Sequence, residues 1–317
     1  ITNCRIFSRK TSILISIKGE ITMKTFGRVL TAMITSFNED GSVNIDNTLT
    51  IAHHLLENGS NGLVVCGTTG ENPTISREEK AALFKAVAKE CSHKGTIIAN
   101  VGSNDTKASV DFVKEVSEIP GINGFLVVVP YYNKPNQQGQ YLHFKAIAEA
   151  TTLPIMIYNV PGRVGTGILP ATVARLHKEY PHICAIKEAS GNVLIASEIK
   201  RLMPDDDFMV YSGDDGLTLP MLAVGGCGVV SVVGHVAGKD MNAMIAAYED
   251  GNTKEALRLH QKIGDIIKAM FVTTNPIPIK YAVRKLGLPS GAFNLPMCEP
   301  SPEEAACIDK ALTEYLK

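Results

Sequence analysis

His182-Ile183-Cys184-Ala185-Ile186-Lys187-Glu188-Ala189-Ser190-Gly191 is a near-continuous apolar run that ends on an amine and then breaks at a glycine. Runs that are apolar at successive rather than alternate positions belong to parallel strands covered on both faces. The pattern recurs at Leu30–Ile34, Gly62–Cys66, Thr96–Val101, Gly124–Val129, Pro154–Tyr158, Phe208–Tyr211 and Gly228–Val233. Segments with helical periodicity lie between these runs. One is Arg77–Cys91, where Ser76 and Glu79 have the spacing of a capping box, each side chain satisfying an orphan backbone donor. The others are Ile45–Leu56, Lys107–Ser117, Gln138–Ala150, Pro170–Lys178, Val193–Leu202, Leu217–Val224 and Lys239–Glu249. About eight strand–helix units is the number that closes a barrel, so the expected fold is α/β, a (β/α)8 TIM barrel.

Beyond Glu249 the strand pattern stops, and Lys254–Phe271, Ile277–Leu286 and Pro302–Leu316 read as helices. The expected organisation is a barrel over 23–250 with a C-terminal helical extension over 251–317. Residues 1–22 read as foreign to the fold or disordered, with Met23 as the natural start.

Composition narrows the function. Hydrophobic residues make up 45% and charged residues 20%, with a net charge of −1, which fits an ordinary globular chain and offers no basic surface for nucleic acid. No stretch approaches the roughly 20 apolar residues of a membrane span. The cysteines (Cys4, Cys66, Cys91, Cys184, Cys227, Cys298 and Cys307) are scattered and form no C-x-x-C pair, as expected of reduced thiols in a cytoplasmic protein. The histidines lack ligand spacing; His53 and His54 are adjacent and face different parts of a helix surface, so no metal is expected.

Barrel enzymes build their sites where strands end and loops begin. Lys187 is at such an end, and apolar surroundings favour the uncharged amine that attacks a carbonyl. It is a candidate Schiff-base nucleophile; the plainer alternative is a lysine paired with Glu188 or solvated. In Gly67-Thr68-Thr69-Gly70-Glu71, hydroxyls and amides offer donors to a small carboxylate, unless the stretch is an ordinary turn. Tyr131, Tyr132 and Tyr158 stand at two further strand ends, where a phenol relays a proton or packs an apolar wall. Arg163 presents a planar fork for a second carboxylate. Glycines at Ser212-Gly213-Asp214-Asp215 and Gly225-Gly226-Cys227-Gly228 let backbone approach a small ligand, and the two aspartates would repel a phosphate.

Together GTTGE (67–71), PYYNKP (130–135), YNVPGR (158–163), IKEASG (186–191), SGDD (212–215) and NPIPIK (275–280) resemble the dihydrodipicolinate synthase family of pyruvate-dependent class I aldolases. The resemblance runs from about Met23 to the C terminus. It implies 4-hydroxy-tetrahydrodipicolinate synthesis in the diaminopimelate route to lysine: pyruvate forms an imine on Lys187 and condenses with L-aspartate 4-semialdehyde, without metal or organic cofactor. It implies a proton relay of Thr68, Tyr132 and Tyr158, a pyruvate carboxylate held by Thr68 and Thr69, the semialdehyde carboxylate held by Arg163, and a pocket lined by Gly213 and Val230. It also implies a homodimer in which Tyr132 completes the neighbouring site, with a tetramer of two such dimers.

The nearest alternative is a sister aldolase on the same scaffold, N-acetylneuraminate lyase or a keto-deoxy sugar acid aldolase; Arg163 favours a carboxylate-bearing acceptor over a polyol. A catalytically silent barrel would have lost the lysine or a tyrosine. Lysine-inhibited family members bind lysine at the dimer interface. Here Arg77 and Lys80 stand where those members have histidines, Ala108 replaces a glutamate, and Asn104 and Tyr131 remain. Each lost charged contact weakens a cationic ligand by about 1 kcal/mol or more, so lysine feedback is expected to be weak or absent.

Overall fold

A computed structural model describes residues 26–204 and 208–317. The expectation for residues 1–22, and Cys4 with it, lies outside the described residues. Eight parallel strands close into a barrel in sequence order: β1 (Val29–Ala32), β2 (Gly62–Val65), β3 (Thr96–Asn100), β4 (Gly124–Val128), β5 (Ile155–Asn159), β6 (Ile183–Glu188), β7 (Met209–Ser212) and β8 (Gly228–Ser231). The chain is therefore the expected (β/α)8 barrel. Its strands are almost wholly buried, because the barrel interior is packed with side chains and helices cover the outside.

The covering helices are α1 (Ile45–Glu57), α2 (Arg77–Cys91), α3 (Thr106–Ser117), α4 (Gln137–Ala148), α5 (Pro161–Val164), α6 (Pro170–Glu179), α7 (Val193–Leu202), α8 (Thr218–Ala223) and α9 (Gly234–Glu249). The box at the start of α2 is formed, with Ser76 and Glu79 each bonding the other's backbone. Two expectations need correction. The helix expected at Lys239 begins five residues earlier, at Gly234, and bends at Ala237, which leaves helical geometry at φ −128° and ψ 27°. The single helix expected over Lys254–Phe271 is two, α10 (Thr253–Lys262) and α11 (Gly264–Ala269). The break falls beside Gly264, the weakest helix former in that stretch.

The seam between β7 and β8 is the shortest, with two register pairs, Tyr211 with Gly228 and Ser212 with Val229. Side chains stitch what the ladder does not. Buried Asp215 accepts from the Ser231 hydroxyl and from the Val232 and Val233 amides at 3.0 and 3.3 Å. Across the next seam His235 Nε2 accepts the Ile34 N–H at 3.1 Å, so its Nδ1 carries the proton donated to the Val232 carbonyl at 2.7 Å. A Cβ at Gly228 would overlap the Arg28 carbonyl oxygen, so only glycine lets β8 lie this close to the chain entering β1.

The remaining helices, α12 (Ile277–Lys285) and α13 (Pro302–Tyr315), pack with α10 and α11 against the barrel's last helices. Asp240 on α9 anchors them, pairing with Lys262 at 2.7 Å and accepting from the Tyr315 hydroxyl at 2.6 Å.

Candidate active site

Lys187 is the fifth residue of β6 and only 6% exposed. A bulge sets its neighbour. Ile155 pairs with Ile183 but Met156 pairs with Ala185, so Cys184 is an extra residue and Lys187, rather than Ile186, comes opposite Tyr158. Register partners present their side chains to the same face, and Lys187 Nζ lies 4.3 Å from the centre of the Tyr158 ring. Among the described residues no carboxylate is within ion-pair distance of this amine. Glu188, the alternative partner, points to the other face and is spent there, accepting from Asn159 Nδ2 and the Ser190 amide, each at 2.7 Å.

The loop after β2 is bent by two non-glycine residues in the left-handed region, Cys66 at φ 54° and Glu71 at φ 56°. Between them Thr68 is half-buried and Thr69 buried. Thr69 Oγ1 accepts from Asn275 Nδ2 at 3.0 Å. Glu71 is buried and paired with Lys280 at 2.7 Å, and its second oxygen accepts from the Asn294 amide at 3.1 Å. Burial pushes the Lys280 ammonium down while Glu71 opposes the shift. The Phe37 and Phe293 rings lie 4.5 and 4.9 Å from the Lys280 nitrogen.

Arg163 lies on α5, a one-turn helix that the sequence patterns did not predict, and its Nη2 donates to the Asn275 carbonyl at 3.3 Å. Arg163 and Thr69 thus share Asn275 as a neighbour. Gly213 follows β7, its amide bonded to the Glu188 carbonyl at 2.7 Å, and a Cβ there would overlap Ala189. Val230 is buried in β8. Tyr132 stands apart: it is 89% exposed with φ 68°, so its side chain is held largely in solvent. The glycine-rich ends of β7 and β8 do not form a phosphate cradle, because Asp215 already occupies the Val232 and Val233 amides. Asn275, Lys280 and Asp215 were not singled out as site residues; their partners are remote in sequence or are backbone groups.

The sequence model of the dihydrodipicolinate synthetase family matches residues 25–315. The chain belongs to that family. This dihydrodipicolinate synthetase family member is thereby an enzyme, a lyase of the class I aldolase type. It is 50% identical over 279 residues to the 4-hydroxy-tetrahydrodipicolinate synthase of Desulforamulus reducens, covering 88% of this chain and 94% of the relative. Its fold superposes on the dihydrodipicolinate synthase of Bacillus anthracis with a TM-score of 0.88 at 45% identity, covering 92% of this chain and 99% of the other. The enzyme of Cyanidioschyzon merolae, solved with lysine bound, gives a TM-score of 0.89 at 43% identity, covering 92% and 98%.

Of the positions compared with lysine-inhibited members, Arg77 is engaged with residues of α3. Arg77 pairs with Glu115 at 2.6 Å, donates to the Asp111 carbonyl and lies 5.2 Å above the Phe112 ring. Its charge is therefore already offset, which weakens the repulsion expected from it. Burial pushes the Lys80 ammonium down as well. Ala108, exposed on α3, still offers no carboxylate. Among the described residues no three His, Cys, Asp or Glu side chains gather to hold a metal ion, and no helix is long and apolar enough to cross a membrane.

Proposed function

We propose that the chain is a cytoplasmic enzyme that condenses pyruvate with L-aspartate 4-semialdehyde through an imine on Lys187, in the diaminopimelate route to lysine. The observation that carries the reading is a buried lysine amine, without a carboxylate partner among the described residues and set against a tyrosine ring. Relatives about half identical in sequence bear the name of that synthase.

The Lys187 nitrogen adds to the C2 carbonyl of pyruvate, and the carbonyl oxygen leaves as water. The imine then loses a C3 proton to give an enamine. The enamine carbon bonds to the aldehyde carbon of the semialdehyde, whose oxygen takes up a proton. The acceptor's own amine attacks the imine carbon, closes the ring and displaces Lys187. Tyr158, Thr68 and Tyr132 carry the protons, Thr68 and Thr69 hold the pyruvate carboxylate, Arg163 takes the acceptor's carboxylate, and Gly213 and Val230 shape the pocket.

A polyol acceptor is disfavoured by the state of the polar groups after β7 and β8. Ser212 Oγ donates to the Asp214 carbonyl at 2.6 Å, Asp214 accepts from the Gly216 amide at 2.8 Å, and Asp215 is bonded to Ser231. These groups are committed to one another, leaving Arg163 as the feature that selects a carboxylate. Strain supports the dimer. A left-handed tyrosine backbone is unfavourable, and here it extends a phenol into solvent; a second subunit that receives Tyr132 accounts for both, with two dimers forming a tetramer.

Borohydride reduction in the presence of pyruvate should leave a pyruvate-derived mass on Lys187. Lys187→Ala should lose the adduct and about a thousandfold or more in kcat. Mixing the Lys187→Ala and Tyr132→Phe proteins should restore activity, because each hybrid dimer holds one site with both native groups. Trapping on another lysine, or full turnover by Lys187→Ala, would refute the chemistry. Failure of the mixture to regain activity would refute the shared site.

A further inference from the structure

We propose that Asn275 is a positioning residue: it fixes the Thr69 hydroxyl as a donor toward the pyruvate carboxylate, within a loop that Lys280 and Glu71 lock from behind. The proposal rests on the reading above, in which Thr69 meets that carboxylate.

The geometry is specific about the proton. A hydroxyl has one hydrogen to give and lone pairs to receive, whereas a carboxylate only accepts. Asn275 Nδ2 donates to Thr69 Oγ1 at 3.0 Å, occupying a lone pair and leaving the Thr69 hydrogen for another acceptor. Among the described residues no acceptor takes that hydrogen. The threonine is thus preset as a donor, the polarity a carboxylate requires.

Asn275 is an expensive residue for this location. It is 6% exposed and its Oδ1 is buried without a donor among the described residues, an unfavourable state that an apolar side chain would avoid. A residue kept only for packing has no reason to bear it. The main chain of Asn275 meanwhile accepts from Arg163 at 3.3 Å, so one residue reaches both proposed carboxylate-binding groups by different atoms. Five residues on, Lys280 bonds Glu71 and the Ala292 carbonyl, holding the loop two residues beyond Thr69 in its left-handed turn. The segment 275–280 therefore grips the 67–71 loop at two points.

The division between side chain and main chain makes the idea testable by steady-state kinetics on the full-length enzyme. Asn275→Ala removes the bond to Thr69 and keeps the carbonyl that meets Arg163. It should raise the KM for pyruvate about tenfold, the scale of one lost hydrogen bond, while kcat and the semialdehyde KM stay near native values. Asn275→Asp should do more harm, since its carboxylate draws the Thr69 hydrogen inward and repels the substrate. In a Thr69→Val background Asn275→Ala should add nothing. The thermal midpoint of Asn275→Ala should not fall.

An equal rise in pyruvate KM with and without Thr69, or a joint loss of kcat, both KM values and thermal stability, would overturn the proposal. If Thr69→Val alone leaves the pyruvate KM unchanged, the proposal falls because Thr69 does not meet the carboxylate. Borohydride trapping on Lys187 then reports separately whether the imine chemistry stands.

Discussion

His143 and His235 give the barrel a defined response to acid. Both are buried, and burial pushes each imidazole down to about 4 from the ordinary 6.5. The folded state therefore binds fewer protons than the unfolded state between these values. Stability is fully present above about 6.5 and is lost as the pH falls toward about 4, by about 3 kcal/mol for each histidine. His235 has the more to lose, because protonating Nε2 removes the acceptor for the Ile34 amide. His143 bonds Thr106 through Nδ1 at 2.9 Å, and its Nε2 has no partner among the described residues. Urea unfolding at pH 7 and pH 5 should show the loss, and His143→Gln should flatten it by about half. An unchanged pH slope in that variant would contradict the assignment. The same residue-level economy separates Lys187 from Glu188: neighbours in sequence, they face opposite sides of one strand, and among the described residues only the carboxylate is hydrogen-bonded.

The elements were legible in the sequence to the extent that their signals are local. Each strand was marked by its own apolar run and is displaced by no more than a few residues; α2 and α7 begin and end where their periodicity does. The bulge at Cys184 was not legible, because it depends on which residue of β5 lies opposite. Neither were the bonds of Asn275 to Thr69 and of Lys280 to Glu71, whose partners are 206 and 209 residues apart. Lys280 gave one local hint, as a lysine within the apolar run Ile277-Pro278-Ile279-Lys280-Tyr281-Ala282-Val283. The pair it forms supports an element-scale prediction. Lys280→Met should destabilise the protein by about 3–5 kcal/mol, because it leaves the Glu71 carboxylate buried without its cation. Adding Glu71→Gln should recover most of that loss in chemical denaturation. A double variant no more stable than the single one would show that the pair is not the source of the effect.

For the whole molecule, regulation follows from what surrounds the barrel mouth. We propose weak or absent lysine feedback, now on narrower grounds than charge alone: Arg77 is neutralised by Glu115, so the missing carboxylate at Ala108 carries the argument. In titrations up to submillimolar lysine the activity should hold near its uninhibited value, and Ala108→Glu combined with Arg77→His and Lys80→His should increase sensitivity. Strong inhibition of the unaltered enzyme in that range would refute the idea. The fold also orders events during synthesis. Thr69 and Glu71 are translated early, but the residues that grip them come more than two hundred codons later. At roughly 5 to 20 residues per second that interval is about 10 to 40 s. The chain can close the barrel only once β8 is complete at Ser231, 49 residues before Lys280, so for roughly the last 2 to 10 s of that interval a barrel able to close still carries Glu71 without its counter-ion, and the 67–71 loop is the last part of the proposed site to mature.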